Sequence, residues 1–258
     1  MKKLSVLFLY EFWSIITGRW LWFLLVVYNL LFALVRYYTV DRTQIFISAT
    51  NIVIYFNSIA VLLFSTLYWQ NNSEFVSLIL TQPVKRNVVF LARLFSFYAG
   101  LILTTALTVV VHLVQVLDIR FLSALLLSQV LIQFIFIGVG FLLAILTSDR
   151  LKALAWDILL IVFFVFILDG IVLWLIINYS QYPLEKVVLV LSSLNPISLM
   201  KFQTLSDVNV SLWSGYSGIL LKRAYESGFI QGMNILSVVL WWLLPTTLAA
   251  YFFNKKDF

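Results

Sequence analysis

Cysteine is absent from the 258 residues, histidine occurs once (His112), and only 11% of the residues are charged. Without cysteine there is no disulfide, thiolate zinc site or thiol chemistry. A single histidine excludes any multi-histidine metal centre, and no carboxylate cluster has metal-ligand spacing. The pattern G-x-x-x-x-G-K-[ST] is missing, so the chain does not bind ATP through that phosphate loop. The low charge excludes most, because a water-soluble domain keeps about a quarter of its residues charged.

What fills the chain instead is apolar: 63% hydrophobic residues, nine tryptophans and a mean hydropathy of +1.03. Runs of about 20 apolar residues cross the hydrocarbon as helices. Barrel strands would alternate apolar and polar residues over about ten positions, and these runs do not. The expected fold is all-α and polytopic, one transmembrane domain over 1–258 with six spans at about 20–38, 45–69, 88–117, 121–147, 153–177 and 231–253. Pro245 falls inside the last span, where a kink is expected. Trp20, Trp22, Tyr37, Tyr38, Tyr68 and Trp69 stand at span ends, as interfacial aromatic belts do. The start, MKKLSVLFLYEFW, resembles a secretory leader, but Glu11 interrupts its apolar run and no A-x-A site follows, so it is expected to be retained.

Six spans place both chain ends on one side. Lys2, Lys3, Arg19, Lys85, Arg86, Arg93, Arg150, Lys152, Lys255 and Lys256 share that side, against Arg36, Arg42 and Arg120 in the short connections opposite. The positive-inside rule then predicts cytoplasmic termini. The same distribution accounts for the net charge of +6 without nucleic acid. The long connection of about 178–230 contains KVVLVLSSL (186–194), too short to span, followed by Trp213, Tyr216, Lys222 and Arg223. It is expected to form outer helices that lie at the interface or dip partly inward.

The stretch EFVSLILTQPVKRNVV (74–89) is too short to span and too apolar for an idle loop. Asn72 or Ser73 as cap, Glu74 in the first turn and Pro83 as terminator predict a two-turn helix. Phe75, Leu78 and Ile79 fall at i, i+3 and i+4 on one apolar face. Such a piece, joined to the third span, transmits force from a cytoplasmic partner, or else packs on headgroups.

Few polar residues lie within the spans. Asp157 and Asp169, twelve residues apart, sit about 120° apart around a helix and share no face. They point to a proton path or to hydrogen bonds between helices, Asp157 being within reach of Lys152. His112 is a helix-contact histidine or a catalytic one. Asn57, Gln115 and Gln133 are polar links between helices, and Gly138 and Gly140 allow close helix approach.

On these residues the chain resembles the permease subunits of type-2 ABC exporters along essentially its whole length. Glu11 and the Arg19–Trp20 pair in LYEFWSIITGRW match that family's leading interfacial helix. Its coupling-helix pattern is met by Glu74, Leu78, Leu80, Thr81, Pro83 and Arg86, with Arg93 as the downstream basic residue. The resemblance implies a non-catalytic half-transporter that works as a homodimer in the inner (cytoplasmic) membrane bilayer. It implies no cofactor on this chain, with ATP and Mg carried by a separate cytoplasmic ABC ATPase. The ATPase contacts would be Glu74, Phe75, Leu78, Ile79, Pro83 and Arg86.

A narrower similarity lies in LSSLNPISLMKFQTLSD (191–207). It is similar to the outer segment of the permease of the nitrous-oxide reductase maturation system, which also tends to have an acid where Asp169 stands. This implies a periplasmic solenoid protein on Asn195, Pro196 and Lys201, and export of a sulfur species or copper delivery for a copper–sulfide centre. The acidic cluster usual before the coupling helix is reduced to Glu74 behind two asparagines. The lack of cysteine and the three methionines argue that the chain is not itself a rich copper relay. The alternatives are a lipid, peptide or antibiotic cargo, or a stand-alone membrane enzyme or scaffold built on His112 and Asp169.

Overall fold

The computed structural model describes residues 2–179, 181, 185–206 and 229–256. Six helices in it are long and apolar enough to cross a bilayer: Arg19–Tyr38, Arg42–Asn71, Arg86–Leu113, Ile119–Leu146, Arg150–Asn178 and Ile235–Lys255. Their number is the six expected. Glu11 of the leading helix, the start of the third span and the end of the last span lie together on one side of the bundle, here called the near side. The last helix runs from Phe229 to Lys255 without a break at Pro245. Two spans start on carboxylate caps. Asp41 accepts from the Thr43 N–H and hydroxyl, which holds its carboxyl below the usual range, and Asp149 accepts from the Leu151 N–H.

The fourth span is the centre of the bundle, and its two expected glycines serve opposite neighbours. A Cβ on Gly138 would come within 2.6 Å of the Thr246 side chain on the sixth span. One on Gly140 would lie 1.9 Å from Ser65 Oγ and 3.0 Å from the Leu62 carbonyl on the second. Without an aqueous hydrophobic effect between lipid-embedded helices, such close backbone approach is what dispersion and polar contacts require. Gly140→Ala is therefore expected to destabilise by about 1–3 kcal/mol through overpacking. Adding Ser65→Gly should recover most of that loss in a thermal or denaturant melt, because Ser65 Oγ is the nearest obstruction.

The leading helix, Lys2–Thr17, crosses the near half of the third span. One face of it sets the Phe8 carbonyl against the Ser96 hydroxyl at 2.9 Å, Glu11 against Arg93, and Ile15 against Gly100, whose added Cβ would sit 2.8 Å from the Ile15 side chain. Between the second and third spans, Ser73–Leu80 forms the expected two-turn helix. Its caps differ from expectation: Asn72 Nδ2 donates to the Tyr68 carbonyl and Ser73 Oγ to the Gln70 carbonyl, so neither side chain caps the helix start.

On the far side, Glu185–Leu194 and Pro196–Ser206 are helices. The second dips into the bundle, the inward of the two expected placements. Thr204 meets Ser128 at 2.5 Å, about 13 Å along the fourth span from its far end. Ile197, Leu199 and Met200 are buried beside it. Pro183, Trp213, Tyr216, Lys222 and Arg223 lie outside the described residues. The aromatic belt holds for Trp20, Trp22, Tyr37 and Tyr38, all more than half exposed, but Trp69 is buried at 2%.

Candidate functional site

The reason Trp69 is buried is a cation. Arg93, fully buried on the third span, lies with its guanidinium carbon 5.0 Å from the ring centres of both Tyr68 and Trp69. Its Nε is 3.4 Å from Glu11 Oε1. The other carboxylate oxygen of Glu11 accepts a hydrogen bond from the Tyr68 hydroxyl. Arg93 Nη1 also reaches the Asn72 carbonyl, at 3.5 Å, just before the short helix. A buried charge persists only when it is paired and hydrogen-bonded. Here the pairing joins the leading helix, the end of the second span, the start of the short helix and the third span. Next to it, Trp69, Phe90, Phe141 and Phe253 pack as one aromatic cluster drawn from four spans.

The short helix divides its side chains. Val76 and Ile79 are buried against the spans, while Glu74 and Leu78 are exposed, Leu78 by 66%. Phe75 stacks on Tyr10 of the leading helix with ring centres 5.4 Å apart. The face expected from Phe75, Leu78 and Ile79 is therefore split, because Ile79 turns inward with Val76. Pro83 is exposed in the turn that follows. Arg86, at the start of the third span, donates to the carbonyls of Asn254 at 3.0 Å and Lys256 at 2.7 Å. The Lys256 ammonium in turn donates to the Ile145 carbonyl at 2.7 Å. Cations at helix C-termini satisfy orphan carbonyls and the negative end of the helix dipole. Burial pulls the Lys256 ammonium below the usual lysine value. Through these contacts the turn after the short helix is fastened to the near ends of the third, fourth and sixth spans.

The other expected residues have partners of their own. Asp157 is fully buried and accepts from Thr66 Oγ1 at 3.1 Å; that hydroxyl also lies 3.2 Å from the Gly140 carbonyl. Tyr28, Asn57, Gln133 and Thr105 form a chain of hydrogen bonds across the first four spans. His112 Nε2 lies 2.9 Å from Asn29 Oδ1 and its ring stacks on Phe32, a contact between the first and third spans. Gln115 Oε1 accepts from Arg36 at 3.2 Å. Arg19 and Trp20 are exposed where the leading helix turns into the first span.

Asp169 belongs with the dipping helix. Its Oδ1 accepts from Ser198 Oγ at 2.7 Å and from Asn195 Nδ2 at 3.2 Å. Asn195 also donates to the Phe164 carbonyl at 2.7 Å, inside a π-helical segment, Phe163–Ile167, of the fifth span. Lys201 donates to the Tyr55 hydroxyl at 3.2 Å, inside the matching π-helical segment, Ile52–Phe56, of the second. Wide turns of this kind recur at functional positions. The two segments dock the start and the middle of one helix. Asn195 and Pro196 are buried.

Sequence reasoning named Glu11 and Arg93 separately and did not join them. It missed Tyr68 and Trp69 as their partners and the terminal carbonyls as those of Arg86. Compared with known families, residues 73–258 match a family model described as ABC-2 family transporter protein. No curated protein matches the chain.

Proposed function

As a member of the ABC-2 family of transporter proteins, the chain is a membrane permease, and we propose that it is driven by a separate protein through the helix Ser73–Leu80. A cytoplasmic ATPase with bound ATP and Mg would press on Glu74 and Leu78 of that helix. The observation that carries this reading is the node of Glu11, Tyr68, Arg93 and Trp69. It converts a push on a two-turn helix into movement of whole spans, because a close-packed interior transmits strain. The working unit is a homodimer with both termini in the cytoplasm of a cell whose inner membrane holds it.

The finer reading is service to maturation of the copper–sulfide centre of nitrous-oxide reductase, by export of a sulfur species or by driving copper delivery through a periplasmic solenoid protein. It rests on the similarity in 191–207 and is supported by Asn195 and Asp169, two features of that similarity, being hydrogen-bonded to one another. Purification from native cells in mild detergent tests it. Recovery of a stoichiometric ATPase together with an outer solenoid protein is the expected result. An ATPase alone would remove the maturation role and leave an exporter of another cargo.

A further inference from the structure

A cavity of about 250 Å³ opens on the near side where the leading helix turns into the first span. Its two ends differ in chemistry. The first span runs away from the near side, so Leu24 lies about 9 Å deeper than Gly18. The second span runs back, so Phe64 lies about 10 Å deeper than Asn71. The deep end is therefore Leu24, Phe64 and Leu101, and the rim is Ser14, Asn71 and Asn72. Trp20 also lines the cavity and lies against Phe64, ring centres 6.0 Å apart. Arg19, between the lining residues Gly18 and Trp20, is exposed and makes no ion pair among the described residues.

We propose that this cavity is a lipid site holding part of one acyl chain of an anionic phospholipid from the near leaflet, with the phosphate on Arg19 and Asn71. An apolar depth with a polar rim and a lone cation follows the order of such a lipid from chain to headgroup. The volume lies below the ~300–1,000 Å³ of pockets for drug-sized solutes, so it takes part of one acyl chain and no second one. The bilayer supplies this ligand at the mouth without a search. The site also touches the coupling node: Tyr68 lines the cavity and donates to Glu11, and Asn72 lines it while its carbonyl meets Arg93. An occupied cavity braces the node from the membrane side.

Native mass spectrometry of the delipidated chain, titrated with phosphatidylglycerol or phosphatidylcholine, tests the site. The expected result is one phosphatidylglycerol held per chain, at least tenfold more tightly than phosphatidylcholine. Leu24→Trp and Leu67→Trp fill the cavity from two different helices and should each abolish that binding. Arg19→Gln should keep lipid binding but lose the headgroup preference. Leu30→Trp, on an exposed part of the first span, should change nothing. Soluble glycerol phosphate should not compete, and competition would show an anion site without a chain. Undiminished binding in Leu67→Trp, or equal affinity for the two lipids in the unmodified chain, overturns the proposal. Because no step measures ATP hydrolysis, failure here leaves the transporter reading standing.

Discussion

Arg93→Ala is expected to cost about 3–5 kcal/mol of stability. Removing one member of a buried ion pair strands the other charge where water cannot reach it. Glu11 is 3% exposed, and without Arg93 its carboxylate would keep only the Tyr68 hydroxyl as a donor. Arg93→Ala also removes two cation–π contacts, worth up to about 2 kcal/mol each when desolvated. Glu11→Gln should cost less, because Gln leaves a neutral group beside a guanidinium still held by two rings. Combining the changes as Glu11→Leu with Arg93→Met should recover part of the loss, since an apolar pair of similar volume avoids the desolvation penalty. Reversible denaturation in mixed micelles measures these differences. If the double variant is no more stable than Arg93→Ala, the charges are not a coupled pair. The same double variant is expected to transport poorly even when stable, because the tie to the Asn72 carbonyl goes with the guanidinium.

Leu78→Asp is expected to leave folding intact and to reduce transport more than tenfold while the associated ATPase still hydrolyses ATP. Leu78 is two-thirds exposed and touches little of its own chain, so an acid there costs little by itself. On the proposed ATPase surface it would place an unpaired charge in an apolar contact, which is expensive. Val76→Asp, two residues earlier and fully buried, should instead yield no folded protein. This contrast separates docking from packing. Transport and ATP hydrolysis, measured on the reconstituted complex with folding followed by gel filtration, check both halves. Equal damage from the two variants would mean that the short helix is only structural.

The six spans were legible because bilayer thickness writes itself into the sequence as run length. The short helix between spans two and three was legible from local chemistry, through Glu74 at its start and Pro83 after its end. Its inward face was not. Three apolar residues at helical spacing define a stripe, but which side of the stripe meets the bundle depends on where the third span returns. Val76 and Ile79 therefore went inward while Leu78 stayed out. The Glu11–Arg93 pair lies beyond any local pattern, since its members are separated by two spans. Tyr68 and Trp69 looked like belt aromatics because a ring that covers a buried cation and one that faces headgroups have the same sequence signature. Asn195 was singled out only through the resemblance of its segment. Its bond to the Phe164 carbonyl depends on a π-helical segment that no periodicity announces.

The most direct test of the central claim places a photo-crosslinking amino acid at position 78 in the permease, in membranes from native cells. Illumination should give one ATPase adduct from position 78, enhanced or altered by ATP, and none from an equivalent probe at the exposed, membrane-embedded position 30. An ATPase adduct absent from position 78 and present elsewhere on the near side would contradict the assignment of Ser73–Leu80 as the helix through which this transporter is driven.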